Sequence, residues 1–581
     1  MFLLHDKKRG EKGHFEYSKS SSLREKILQF HFQCVRNSDP ANIFALQYIF
    51  QEILILLKTY ILYNFYEKDE LTIVTYKMIA YTRDILLGKG ECQLAYMMLK
   101  NWTDYMNMGS ECLLYSFVSS ASSLHPYGSW KDIKYFFHYC TTNGWNENHP
   151  LIQYSIVLVN EQLKRDISFL ENNQREKISL VAKWIPREKS RKFGAFFDLL
   201  ATNYFSTEIP SNVVNNHKTR YKQKQNEKKM YRKILHILNV CLDTLQIKQC
   251  SQQWQSISFE KLTSISHQRQ KNALLNITKG GNMRYVEKED RILCSEKYQQ
   301  FVFDMLTNNQ DVKGTHILAT DFTKQAIFLV TYGRSFASFD FQCRLLNSQW
   351  RHFIQDIPRL TMIVPILDLS YSMEGDALYT AINIACIVAE KSSLGKRIMT
   401  FGGSPCWINL DNSMEFIDMV EKILEVRRVN GSIHSNYYDA QKKIMEVIEE
   451  IHCSEKKEKT KTFDIEFLFL SDMQIDQPDN EHFHLYKEIY NAFSNYASPV
   501  FHFWNVRTTD GFPCHIFEKG CSMMSGFNPR SLQTFRYHDE NADKDNNKIH
   551  GSMSPWSVFF HQINHKRYDD AENYIKSFLC V

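Results

Sequence analysis

Fourteen cysteines are scattered singly through these 581 residues, and no two form a C-x-x-C pair or stand in a close His/Cys group. That absence excludes the usual zinc-ribbon and zinc-finger spacings. Thiols in apolar company, such as Cys386 within AINIACIVAE, point instead to a reduced intracellular compartment, expected to be cytoplasmic. A signal-peptide apolar core is missing as well, because MFLLHDKKRGEKG turns charged after four residues. The most apolar stretch, Ile53 to Tyr66, is interrupted by Lys58 and reads as a buried helix, so no membrane partner is expected. Glycine-rich phosphate loops are absent: Gly88-Lys89-Gly90 and Gly402-Gly403 lack the remainder of a nucleotide-binding pattern. A net charge of only +5 does not by itself signal nucleic acid.

The composition that remains is that of a folded chain, with 43% hydrophobic residues, 23% charged residues and 40 phenylalanines. Residues 1–24 are polar and expected to be loose. Helical periodicity dominates residues 25–310, in segments near 25–37, 42–66, 69–86, 90–107, 110–122, 130–141 and 150–205, then from 230 onward. Stacked amphipathic helices of this density suggest a solenoid. Residues 206–229 read as a polar connector, and 311–358 as a connecting segment. From 359 to 535 the pattern alternates, with strands expected at 361–367, 397–401, 406–410, 464–470, 500–504 and 514–517. Helices fall between them, which implies an open, mostly parallel, doubly wound α/β sheet. An extension with a terminal helix, residues 536–581, completes the chain.

Within the α/β part, Asp368-Leu369-Ser370-Tyr371-Ser372 follows the apolar run Leu360 to Leu367 and precedes a helical pattern. Three oxygen-bearing side chains at i, i+2 and i+4 can converge on a hard cation such as Mg²⁺ or Mn²⁺. Helix capping is an equal reading from spacing alone. Asp472 lies just beyond the strand FDIEFLFLS, at the end where open α/β sheets bind ligands. Ser435 stands in a turn, NGSIHSNYYDA, ahead of another helix. No further nucleophile, base or transition-state stabiliser accompanies the set, so enzyme activity is not expected.

These loops resemble the metal-ion-dependent adhesion site of von Willebrand factor A domains. The resemblance makes Ser370 and Ser372 direct ligands, Ser435 the counterpart of a threonine, and Asp368 and Asp472 holders of coordinating waters. Tyr371 departs from the glycine often found there. YTRDILLGKGECQLAYMML at 81–99 and HPYGSWKDIKYF at 125–136 are similar to signatures of the TROVE module of Ro-type RNA-binding proteins. SLVAKWIPREKS at 179–190, the segment 231–266, VFHFWNVR at 500–507 and MSGFNP at 524–529 resemble the related DUF2828 family. The resemblance, spanning roughly 70–535, implies a HEAT-like, TROVE-like helical region joined to an A-like domain.

From it follow two expected partners, an acidic protein ligand captured through the cation, or single-stranded RNA. Residues 171–250 carry sixteen Lys and Arg against seven Asp and Glu. Lys183, Arg187, Lys189, Arg191 and Lys192, near Trp184, Phe193, Phe196 and Phe197, are candidate phosphate contacts, as are Arg83 and Lys89. For Arg83 a structural pairing with Asp84 or Glu91 is the competing reading, and Gly88 and Gly90 are expected to permit a tight turn. The alternative function is an assembly scaffold of a large DNA virus, with virion association and no metal-dependent chemistry. Homo-oligomerisation is left open.

Overall fold

Every residue of Ile363–Asp368 is buried, so this strand is covered on both faces, as its unbroken apolar run requires. The computed structural model describes residues 7–9, 15–37, 39–59, 65–120, 125–206, 217–308, 310–315, 317–335, 338–401, 404–430, 443, 446, 465–473, 500–508, 511–536 and 553–579. Its strands are β1 (Lys7–Arg9), β2 (Phe15–Tyr17), β3 (Ile363–Asp368), β4 (Arg397–Phe401), β5 (Trp407–Asn409), β6 (Glu466–Ser471), β7 (Val500–Asn505) and β8 (Cys521–Ser525). The first two pair as an antiparallel ribbon within the segment expected to be loose. The other six form one sheet in the order β5-β4-β3-β6-β7-β8. All neighbours in it are parallel except the edge strand β5, which runs antiparallel to β4. The last strand falls at 521–525 and not at 514–517, where the chain crosses in turns.

Two compact units divide the chain, and their boundaries follow packing, not sequence order. The α/β unit comprises Met1–Val74, Thr263–Arg284 and Tyr298–His565. Residues 311–358, expected to be a connector, supply two of its helices, Ala319–Tyr332 and Phe339–Gln355. Their apolar faces join one core with β3, β6 and the helices Asp376–Lys391 and Phe416–Asn430. Trp350 stacks on Phe416 at 3.9 Å, and Thr323 Oγ1 donates to the Tyr379 carbonyl at 2.8 Å. Toward the opposite end of the sheet, Asn505 Nδ2 donates to the Phe32 carbonyl at 3.2 Å and Ser525 Oγ to the His31 carbonyl at 3.0 Å. The amino-terminal helix Leu23–Gln33 is thereby part of this unit.

Pro40–Thr59 is long and apolar enough to cross a membrane by length and composition. Here Ile43, Leu46, Phe50, Ile53, Leu54 and Leu57 form a buried face, and Phe50 stacks on Phe30 at 5.1 Å. Phe44 and Tyr48 stay exposed, so the helix is buried on one side only.

The helical unit comprises Thr75–Leu262, Tyr285–Lys297 and Lys566–Val581. Aromatic pairs build its core, among them Tyr76 with Trp102, Phe137 with Phe196 and Phe197 with Tyr231. The connector expected at 206–229 ends in a helix, His217–Cys241, because Lys, Gln and Glu favour helices even without an apolar stripe. Lys228 pairs with Asp198 at 2.6 Å and helps hold it. The carboxyl-terminal segment is two helices, not one: Pro555–Ile563 in the α/β unit and Asp569–Leu579 in the helical unit. Between them Arg567 reaches the buried Asp84 through two hydrogen bonds of 2.7 Å, and Tyr568 adds a third at 2.9 Å.

A buried carboxylate stripped of its cation is costly, about 3–5 kcal/mol in comparable pairs. Arg567→Met is accordingly expected to destabilise the chain by about that amount, read as a lower midpoint in urea denaturation followed by circular dichroism.

Candidate functional site at the carboxyl edge of the sheet

Asp368 ends β3 and Asp472 immediately follows β6, neighbouring parallel strands, so both carboxylates emerge at the same edge. Both are completely buried. Asp368 Oδ1 accepts from the Ser370 backbone N–H at 2.9 Å, and Oδ2 accepts from Ser471 Oγ at 2.8 Å. Ser370 Oγ lies 2.9 Å from Ser372 Oγ. Gly375, at φ +98°, carries the chain from this turn into the helix Asp376–Lys391, a conformation that a side chain would strain. Burial, and then the proximity of Asp472, push the Asp368 carboxyl up to about 7, against the hydrogen bonds from Ser370 and Ser471.

Four of the five expected metal-site residues, Asp368, Ser370, Ser372 and Asp472, are thus brought to one edge. Ser435 lies outside the described residues. Two residues without an expected role complete the cluster. One is Ser471. The other is Arg507, just past β7, whose Nη1 lies 3.4 Å from Asp472 Oδ2 and 3.5 Å from the Ser372 carbonyl. Its position was readable in principle: Arg507 follows an apolar strand as Asp472 does, and belongs to the VFHFWNVR segment singled out above.

Side-chain oxygens of this kind suit a hard cation such as Mg²⁺ or Mn²⁺ in chemistry, and Ser370, Ser372 and the two carboxylates are the residues that would hold one. Arg507, however, already brings a positive charge to Asp472. Among the described residues no three His, Cys, Asp or Glu side chains gather into a group that could hold a metal ion, at this edge or elsewhere.

Of the expected RNA contacts in the helical unit, Arg83 and Lys89 are corrected by burial, being 4% and 2% exposed. Arg83 is held by Asp132, Nε to Oδ1 at 2.8 Å and Nη2 to Oδ2 at 2.7 Å. Its partner is therefore neither Asp84 nor Glu91, since Asp84 is taken by Arg567. The two glycines behave as expected: a Cβ on Gly88 would collide with the Tyr81 carbonyl, and Gly90 has φ +70°. The signature 81–99 is a folding element, and its charges face inward.

Arg187, Lys189, Arg191 and Lys192 are exposed, while Lys183 is half-buried and its pKa is lowered by burial. Phe196 and Phe197 are core residues, whereas Trp184 and Phe193 are half-buried and carry ammonium groups. Lys134 Nζ lies 5.1 Å from the Trp184 ring centre and 5.6 Å from that of Phe193. Lys192 lies 5.5 Å from the ring of Tyr135 and 5.4 Å from that of Phe193. Lys131 and Lys134, from the helix Lys131–Thr142, were missed by a charge count limited to residues 171–250. Their i, i+3 spacing on one helix was the available signal. Burial first, then Lys131, lowers the Lys134 pKa to about 8.

Comparison with known proteins divides the chain at the start of β3. Residues 147–361 match the family described as Domain of unknown function (DUF2828), and residues 363–576 match Domain of unknown function (DUF7788). The stretch that matches DUF2828 precedes the one that matches DUF7788. Uncharacterized protein L728 of Acanthamoeba polyphaga mimivirus is similar to this chain, 25% identical over 486 residues that cover 80% of this chain and 77% of that protein. The DUF2828 likeness read from sequence therefore extends too far: VFHFWNVR and MSGFNP lie in the DUF7788 region. The carboxylate cluster with Arg507 falls in the stretch that matches DUF7788, while the exposed cations 187–192 fall in the stretch that matches DUF2828.

The Asp368 pKa stands above the ordinary unfolded value of about 4. The stability this carboxyl carries is thus full in acid and is lost as pH rises through about 7. Thermal denaturation of the full chain between pH 5 and pH 8 is expected to show that decline, and Asp368→Asn is expected to flatten it.

Proposed function

We propose that this chain is a noncatalytic binding scaffold whose α/β edge is closed by its own arginine and does not capture ligands through a metal ion. The observation that carries this reading is the approach of Arg507 to Asp472 and to the Ser372 carbonyl. A guanidinium tethered to the fold neutralises one of two adjacent buried carboxylates, and burial beside Asp472 raises the Asp368 pKa and so reduces the charge on the other. The sheet order, with its single antiparallel edge strand, supports a von Willebrand factor A-like identity for this domain. The likeness to a mimivirus protein over most of the chain supports a role in the setting of a large DNA virus.

Calorimetric titration of the full chain with Mg²⁺ or Mn²⁺ tests the reading. No saturable binding is expected for the wild type, and measurable binding is expected for Arg507→Ala, in which the carboxylates lose their internal counter-ion. Tight binding to the wild type that vanishes in Asp368→Ala would overturn the proposal and restore metal-dependent capture of an acidic ligand.

A second reading is favoured by the lysines over Trp184, Tyr135 and Phe193: the helical unit binds single-stranded RNA as its scaffolded partner. Cations for phosphate and rings for base stacking stand side by side there. Filter binding of an RNA oligonucleotide is expected to weaken steeply with salt. Lys134→Ala with Lys192→Ala is expected to weaken it about tenfold or more, as lost phosphate contacts would. Absence of binding at low salt would remove this reading.

A further inference from the structure

Away from the carboxylate edge, the α/β unit contains a cleft of about 520 Å³ whose lining is rich in positive charge. The helix Ser264–Leu274 contributes Arg269 and Lys271, the turn after it contributes Lys279, and the helix Ala319–Tyr332 contributes Lys324. The lining has one carboxylate, that of Asp321. Lys324 is neutralised from outside the cleft, by Asp376 at 2.6 Å. Arg269, Lys271 and Lys279 have no carboxylate within ion-pair distance among the described residues.

Lys271 is the informative member. Its side chain is half-buried, and its Nζ donates to Gln325 Oε1, a neutral amide, at 3.3 Å. Drawing an ammonium group partly out of water without an anion is unfavourable, and among the described residues the hydrogen bond the fold gives it is that of the Gln325 amide. Burial accordingly lowers the Lys271 pKa to about 8; the other titratable group that bears on it, the Cys343 thiol on the helix Phe339–Gln355, is itself pushed up to about 11, chiefly by burial. Such an arrangement is stabilised by an anion that returns the missing interaction. Two exposed cations of the same lining, Arg269 and Lys279, add further positive charge that additional phosphate oxygens could meet.

Size and shape narrow the class. A cleft of this volume lies in the range of small-molecule sites. Phe328, 43% exposed, adds a flat apolar surface to the lining. We infer that this cleft is a binding site for a small phosphorylated molecule of the nucleotide class, its phosphates on Arg269, Lys271 and Lys279 and its ring system against Phe328. The inference is independent of the carboxylate edge and of the basic face on the helical unit, since none of their residues line it.

Isothermal titration of the full chain with pyrophosphate and with ATP, both without divalent cation, is the test. One saturable site is expected for each, tighter for ATP, and Lys271→Met is expected to weaken both at least tenfold while leaving the melting temperature of the ligand-free chain within a degree or two. Should Lys271→Met not fold, Arg269→Ala with Lys279→Ala, both at exposed positions, is expected to weaken binding by a similar factor. Absence of saturable binding at millimolar ligand would overturn the inference, as would affinities unchanged in these variants. Single-stranded RNA displacing ATP as effectively, phosphate for phosphate, as pyrophosphate does would overturn the assignment to a small molecule.

Discussion

Carboxylates with no access to water must be answered from within the protein, and that requirement organises both units. Asp472 is met by Arg507, Asp132 by Arg83 and Asp84 by Arg567. In each case the partner lies 35 or more residues away in sequence, so the pair forms only once distant segments are packed. A buried charge that loses its partner costs several kcal/mol, which makes such pairs decisive for which segments belong together. The return of residues 566–579 to the helical unit, after the whole α/β sheet has been built, is the clearest consequence.

The same requirement bears on the candidate site. Asp368 and Asp472 are set side by side by two neighbouring parallel strands, where mutual repulsion and burial disfavour two full negative charges. A divalent ion, a proton or an arginine can each relieve that repulsion. Arg507 occupies this role beside Asp472, and the serine hydroxyls of Ser370 and Ser471, with the backbone N–H of Ser370, complete the local network. The network joins residues at the ends of three neighbouring strands, β3, β6 and β7.

Much of the sheet was legible from residue order. The apolar runs of β3, β6 and β7 and the oxygen-bearing turn after β3 are local patterns, and Asp368, Ser370, Ser372 and Asp472 do arrive at one edge. Ser471 and Arg507 were not legible as partners, because nothing in a strand's own periodicity says which neighbour it will pair with. Arg83 and Lys89 are too buried to be the phosphate contacts they were candidates for, and for Arg83 a structural pairing, the competing reading, holds with a different carboxylate. A charge on a helix end looks solvated until a carboxylate such as Asp132, 49 residues on, is found buried beside it.

Residues 311–358 illustrate the limit most plainly. Their helices carry apolar faces that the sequence displays, yet the face of Phe322 and Trp350 has meaning only against Phe416 and the helix Asp376–Lys391. By itself the sequence determined the strands β3, β4, β6 and β7 and which side chains are chemically able to hold a charge, since both depend on near neighbours in the chain, but it misplaced β8 and left 206–229 and 311–358 as connectors. Tertiary structure alone decided which charges are buried, which arginine answers which carboxylate and which lysines are left facing a cleft. Burial is a property of segments brought together, and the free energy of an ionised group is set by the water it loses.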